Sequence, residues 1–227
     1  MTSAVLGVDG CPGGWLGARL AGDRVDVLVA ASLSDLVRDA GPVVVVGVDM
    51  PIGLPDSGAP RVAEALARRR LPPGRKSSVF PTPMRASCEA TTWTEANAAN
   101  RAACGRGLSH QAFGLTRKIL EVDAYVRAGP PFAVVEVHPE VSFAALDPDC
   151  VVSSKKSADG RAARVATLEE AGLVLPPAVR GPGYAVDDLL DACAVAWTAR
   201  RVVRGEAEAL PDPPEVFSDG IPAAIHV

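Results

Sequence analysis

The feature that most constrains this chain is an apolar run that ends in a carboxylate, and it is written three times. It reads Ala4-Val5-Leu6-Gly7-Val8-Asp9 first and Val43-Val44-Val45-Val46-Gly47-Val48-Asp49 second. The third version is Phe132-Ala133-Val134-Val135-Glu136-Val137-His138-Pro139-Glu140. Apolar runs of this length, rich in Val and closed by Gly or Pro, are buried strands. An acid at the end of such a strand is held rigidly, yet it stands at the sheet edge, where solvent and ligands arrive. The sequence therefore predicts a sheet that collects acids along one edge.

The remaining elements follow in order. Cys11-Pro12-Gly13-Gly14 is a tight turn, and Trp15–Leu20 returns as a second strand. Arg24–Ala30 alternates polar and apolar residues as a third strand. Ser32–Ala40 has helical spacing of Leu33, Leu36 and Val37, with Gly41-Pro42 as its stop. Residues 50–109 are rich in turns, with helices only over Arg61–Arg70 and Thr94–Ala103. They are read as an inserted, cap-like segment of one domain spanning 1–227, not as a second domain. Amphipathic helices are expected over Gln111–Val126 and Gly160–Glu170, with a short one from Pro139 to Leu146. Pro176–Gly183 reads as a loop. An Ala-rich helix over Val186–Arg204 is small enough in its side chains to lie close on a sheet. The Pro-rich tail, Pro211 to Val227, is assigned no chemistry.

Composition excludes some classes. A net charge of −4 argues against coating nucleic acid by bulk electrostatics, and 4% aromatic residues argue against extended stacking platforms. No signal peptide and no membrane span is read, and five scattered cysteines without a C-x-x-C pair read as free thiols in a reducing cytoplasm. There is no G-x-S-x-G, Walker A loop or G-x-G-x-x-G fingerprint.

Each acid has a plain structural reading. Asp9 and Asp49 can be turn residues, Asp187 a helix-capping charge, Glu140 a first-turn charge, and His138 a satisfied polar side chain at a strand end. Asp188 and Asp191, three apart on the last helix, share a face, and Asp191 lies beyond the cap amid Ala, Cys and Leu. Glu136 interrupts an apolar strand. Taken together, crowded carboxylates need a positive partner, and an all-oxygen set suits Mg²⁺ or Mn²⁺, up to a two-metal site. The densest positive charge, Arg68 to Lys76, reads either as a solvated helix end or as a phosphate-gripping loop.

These residues carry a resemblance. Gly7-Val8-Asp9-Gly10-Cys11 with Gly14-Trp15, Val48-Asp49-Met50-Pro51-Ile52-Gly53-Leu54-Pro55, Ser77-Ser78-Val79-Phe80-Pro81, Glu136-Val137-His138-Pro139-Glu140, Ser154-Lys155-Lys156 and Asp187-Asp188-Leu189-Leu190-Asp191-Ala192 resemble domain-of-unknown-function family 429. Its members are described as predicted RNase H-like nucleases. Glu64 stands where the family pattern more often has Asp. The resemblance implies an α/β RNase H-like fold: a mixed five-stranded sheet flanked by helices, with the insertion after the fourth strand. It implies a cytoplasmic, Mg²⁺- or Mn²⁺-dependent nuclease or phosphodiesterase acting on nucleic acid or a nucleotide. Asp9 and Asp49 would be the central metal ligands, Asp188 and Asp191 would complete the set, and Glu136 would be a further catalytic acid. Arg69, Arg75, Lys76 and Lys156 would neutralise substrate phosphates. Two alternatives stay open: a nucleotide-binding phosphotransferase like actin and the sugar kinases, which lacks here its second phosphate loop, and a non-catalytic nucleotide- or nucleic-acid-binding protein.

Overall fold

A computed structural model describes residues 3–176 and 183–227. Most of the loop expected over Pro176–Gly183 lies outside the described residues. The first apolar run forms β1 (Val5–Cys11), which turns at Pro12-Gly13 into β2 (Gly14–Ala21) and then β3 (Arg24–Ala30). Gly14 has φ of 118°, a backbone state open to glycine, and this lets the hairpin close in two residues. Helix α1 (Leu33–Ala40) starts on a Ser32 cap, whose hydroxyl accepts from the Asp35 N–H, and stops at Gly41. The valine run becomes β4 (Val45–Val48), with Asp49 immediately beyond it.

Residues 50–109 hold α2 (Val62–Arg70), a 3₁₀ turn (Pro73–Ser78), α3 (Arg85–Glu89) and α4 (Trp93–Cys104). The chain continues through α5 (His110–Arg127), β5 (Ala133–Val137), α6 (Pro139–Leu146), a second 3₁₀ turn (Pro148–Val151) and α7 (Ala158–Glu170). The last long helix, α8 (Val186–Arg204), precedes β6 (Ala209–Val216) and β7 (Pro222–His226).

The sheet has seven strands in the order β3-β2-β1-β4-β5-β7-β6. The expected count of five is therefore corrected: the tail adds two. Its prolines (Pro211, Pro213 and Pro214) hide the strand signal, because proline cannot donate to a ladder. β6 tolerates them at the outer edge of the sheet, where one side needs no donor. β7 is short, and its Ala223, Ala224 and Ile225 are buried. It runs parallel to β5, pairing Glu136 with Ile225.

β1, β4 and β5 run parallel, in a register that pairs Gly7 with Gly47 and Val48 with Glu136. Side chains alternate across the sheet. Leu6, Val8, Val46 and Val48 meet α1 and α5 in one core, while Val5 and Val45 face a second core containing α6, α7 and α8. The two-residue period puts Asp9 and Asp49 on the same face as Gly7 and Gly47, toward α8.

That face explains the glycines. A Cβ on Gly7 would overlap the Ala192 carbonyl oxygen and the Ala196 nitrogen of α8, and one on Gly47 would come within 2.8 Å of Val195 Cγ1. The helix backbone thus rests directly on two strands. Its residues Leu189 through Ala199 are all buried, which only a helix rich in Ala can do at such close range.

Gly7→Ala should therefore cost about 1–3 kcal/mol or more through overpacking. Gly74→Ala, at a position with open space around it, should be close to neutral. Urea denaturation of the two variants would check this, and equal stabilities would contradict the close approach.

Candidate acidic site at the sheet edge

At the carboxyl ends of β1, β4 and β5 lies a cavity of about 560 Å³. Asp9 and Asp49 stand at its base, and Asp187, Asp188 and Asp191 enter from the first turns of α8. Asp9 accepts a hydrogen bond from its neighbour's N–H, Gly10, at 2.7 Å. Asp191 is 2% exposed. Its Oδ2 accepts from Lys155 Nζ at 2.5 Å, whereas its Oδ1 is buried with no partner. Asp188 is half-buried, and its carboxylate accepts from the Ala185 N–H at 2.8 Å, closing the helix start.

The electrostatics follow from this crowding. Burial, then the neighbouring Asp49 and Asp191, push the Asp9 carboxyl well above its ordinary range. Burial also lifts Asp49 to about 7 and Asp191 to about 6, against the downward pull of Lys155. Burial raises Asp188 as well. Lys155 is the counterweight: burial lowers its pKa, but attraction to Asp191, Asp49 and Asp9 more than offsets this, so its ammonium is held charged. Lys155 sits in the turn between the second 3₁₀ segment and α7. Ser157 caps α7 with its hydroxyl, and Gly160 packs against the Ser154 carbonyl where no Cβ would fit.

Among the described residues, no three His, Cys, Asp or Glu side chains are grouped closely enough to hold a metal ion as they stand. The donor chemistry nevertheless fits a hard cation. The facing groups are carboxylates, they carry more negative charge than one ammonium balances, and one buried oxygen of Asp191 is unpaired.

The other sequence candidates fall in different places. Glu136 lines the same cavity, but Arg61 donates to both of its oxygens, at 2.9 and 2.6 Å, and the Ile52 N–H donates at 2.7 Å. The guanidinium of Arg61 is fully buried and also reaches Glu64 at 2.9 Å. Glu140 is met by the buried Arg164 through one oxygen, at 2.8 Å, and its other oxygen is buried without a partner. These two pairs lock the cap segment and α7 to the sheet end. Lys156 lines the cavity from its rim. Arg75 lines it too, but its guanidinium donates to the Val151 and Val152 carbonyls at 2.7 and 2.8 Å. Lys76 is exposed outside the lining, and Arg69 borders a separate groove beside β6. The basic run is thus split, with Arg70 pairing to Glu208.

Lys155, Arg61 and Arg164 are the contributors that sequence reasoning does not single out. The Ser154-Lys155-Lys156 run was a visible signal for the first. A lone Arg opening a helix carries no mark of being buried. His138 is half-buried, its Nε2 is 3.3 Å from the Ser78 carbonyl oxygen, and burial lowers its pKa.

Fold and site together define an α/β protein with an acidic cavity at the carboxyl edge of its parallel strands. The chain belongs to the family described as Protein of unknown function (DUF429), whose profile matches residues 7–216. No curated protein and no solved structure matches it. No helix among the described residues is long and apolar enough to cross a membrane.

The raised carboxyls make a signed prediction. A carboxyl whose folded pKa exceeds its unfolded value contributes stability that is complete below about 3.8 and is lost as pH climbs through the folded pKa, here about 7 for Asp49. Asp49→Asn should therefore gain on the wild type between pH 4 and 8, by at most about 1.4 kcal/mol per pH unit. Denaturation curves across that range would check it, and parallel curves would show that Asp49 does not titrate late.

Proposed function

We propose that this protein is an RNase H-like, divalent-metal-dependent nuclease that hydrolyses phosphodiester bonds. The single observation that carries this reading is the Asp9–Asp49–Asp191 group, with Asp9 and Asp191 buried, Asp49 half-buried and one Asp191 oxygen unpaired, at the open end of three parallel strands. The arrangement of three antiparallel strands, a helix and then a parallel strand, with acids closing β1 and β4 and an acidic last helix, supports the fold assignment. β6 and β7 are additions to it.

Asp9, Asp49 and Asp191 would hold Mg²⁺ or Mn²⁺, with Asp188 beside them. The cation would supply water activation and charge neutralisation at the phosphate. In the hydrolysis, a water oxygen bonds to phosphorus, the phosphorus–oxygen ester bond breaks, and the water proton ends on the leaving oxygen. Lys156 would draw the phosphate to the rim. Lys155 has a different part. Its ammonium already neutralises Asp191, so a cation and Lys155 would compete for one set of oxygens.

Mn²⁺ should raise the melting temperature of the wild type, because a ligand of the folded state stabilises it. Asp191→Asn should lose both the rise and the cleavage of oligonucleotides, while Asp187→Asn keeps both. Lys155→Met should melt lower without metal, yet bind Mn²⁺ about tenfold or more tightly, since removing a competing cation at a partly screened site is worth more than about 1 kcal/mol. Thermal shift and calorimetry would check all four proteins. A wild type without any Mn²⁺ response would overturn the metal-dependent reading.

A further inference from the structure

One wall of the cavity is tied down. Residues 75–83, most of which line the cavity, form a strap fastened at four points. Arg75 donates to the carbonyls of Val151 and Val152, at 2.7 and 2.8 Å. The Ser78 carbonyl meets His138 at 3.3 Å. The Val79 carbonyl accepts both Nε and Nη2 of Arg68, at 3.1 and 2.7 Å. The Thr82 hydroxyl donates to Glu64 at 2.5 Å, and Glu64 is itself held by the buried Arg61. Anchors on α2, at His138 before α6 and at the second 3₁₀ turn cannot all be released without breaking these polar pairs, the Thr82–Glu64 pair being buried.

The strap sets the size of what can enter. A cavity of about 560 Å³ falls within the roughly 300–1,000 Å³ range of small-ligand sites. It leaves no room for a base pair together with both of its backbones. Part of the lining is apolar: Pro81 and Pro83 of the strap, with Leu115 and Ile119 of α5. Phe80 is the one Phe, Tyr or Trp among the described lining residues, and it is 38% exposed in a protein that buries most of its large apolar side chains. One open aromatic face beside an acidic floor matches one base, stacked, with its phosphate over the acids.

We propose that the cavity seats a single unpaired nucleotide of a single-stranded nucleic acid, its base on Phe80 and its phosphodiester over Asp9, Asp49 and Asp191, and that the strap excludes duplex. This rests on the nuclease reading for the chemistry, and on the strap and Phe80 for the occupant. A duplex would reach the acids only by extruding a nucleotide, which costs unpairing and unstacking that single strands avoid.

The test measures anisotropy of a labelled single-stranded octamer, and of the same sequence in duplex, with Mn²⁺ present, and follows cleavage of both on gels. The single strand should bind about tenfold or more tightly than the duplex. Phe80→Ala should weaken single-strand binding by about tenfold, the size of a lost base–aromatic stack, in a variant whose cooperative melting shows that it remains folded. Duplex bound and cleaved as well as single strand would overturn the proposed occupant and leave the nuclease reading standing. So would unaltered single-strand binding by Phe80→Ala. Phe80-dependent binding with no cleavage of either form would support the occupant and overturn the nuclease reading. Failure of both forms to bind would overturn the two together.

Discussion

The close approach of α8 to β1 and β4 is the constraint on which the rest depends. Gly7 and Gly47 lie side by side in parallel register, and between them they leave room for the helix backbone itself, at Ala192, Val195 and Ala196. One consequence is stability, through the dense packing of a helix buried from Leu189 to Ala199. The other consequence is chemical. Each glycine is two residues before an acid on the same face, and Asp191 adjoins the point of contact on the helix. The packing that brings the backbones together therefore brings three carboxylates together as well.

Such a cluster is costly unless something balances it. Five acids around the cavity divide by how they are balanced. Glu136 and Glu140 are each met by a buried arginine, Arg61 and Arg164, which offsets part of the desolvation cost and ties the cap and α7 to the sheet end. Asp9 and Asp49 have no arginine, and with Asp191 they share the ammonium of Lys155. The raised carboxyls record that this sharing is incomplete. A site with residual negative charge, reachable from solvent and lined by hard oxygens, is suited to take a further cation. The arginine-bound acids are suited to hold the architecture still.

Much of this was legible in the sequence. Val5–Asp9 and Val43–Asp49 announce buried strands with terminal acids because the pattern is local: a run of apolar residues, then Asp, then Gly or Pro. Asp191 stood out because an acid amid Ala, Cys and Leu lacks the capping role that explains Asp187. The two tail strands were not legible, since the prolines of β6 contradict strand propensity and are excused only by an edge position that a sequence does not display. Lys155 was visible as a basic residue but not as the partner of Asp191, 36 positions away. Arg61 looks like any helix-opening arginine until Glu136 and Glu64 close around it. Arg75 looked like a phosphate ligand and turned out to hold carbonyls of the second 3₁₀ turn. Long-range pairing decided each of these, and local patterns do not encode it.

The most direct test of the central claim, that α8 and the two strands assemble one cation site presently balanced by Lys155, is a crystal structure of the protein grown with Mn²⁺, read by anomalous scattering. The expected result is an anomalous peak ligated by Asp9, Asp49 and Asp191, with the unpaired Oδ1 of Asp191 engaged and Lys155 Nζ moved off Oδ2. A peak elsewhere on the molecule, or none while Lys155 keeps its contact with Asp191, would contradict it.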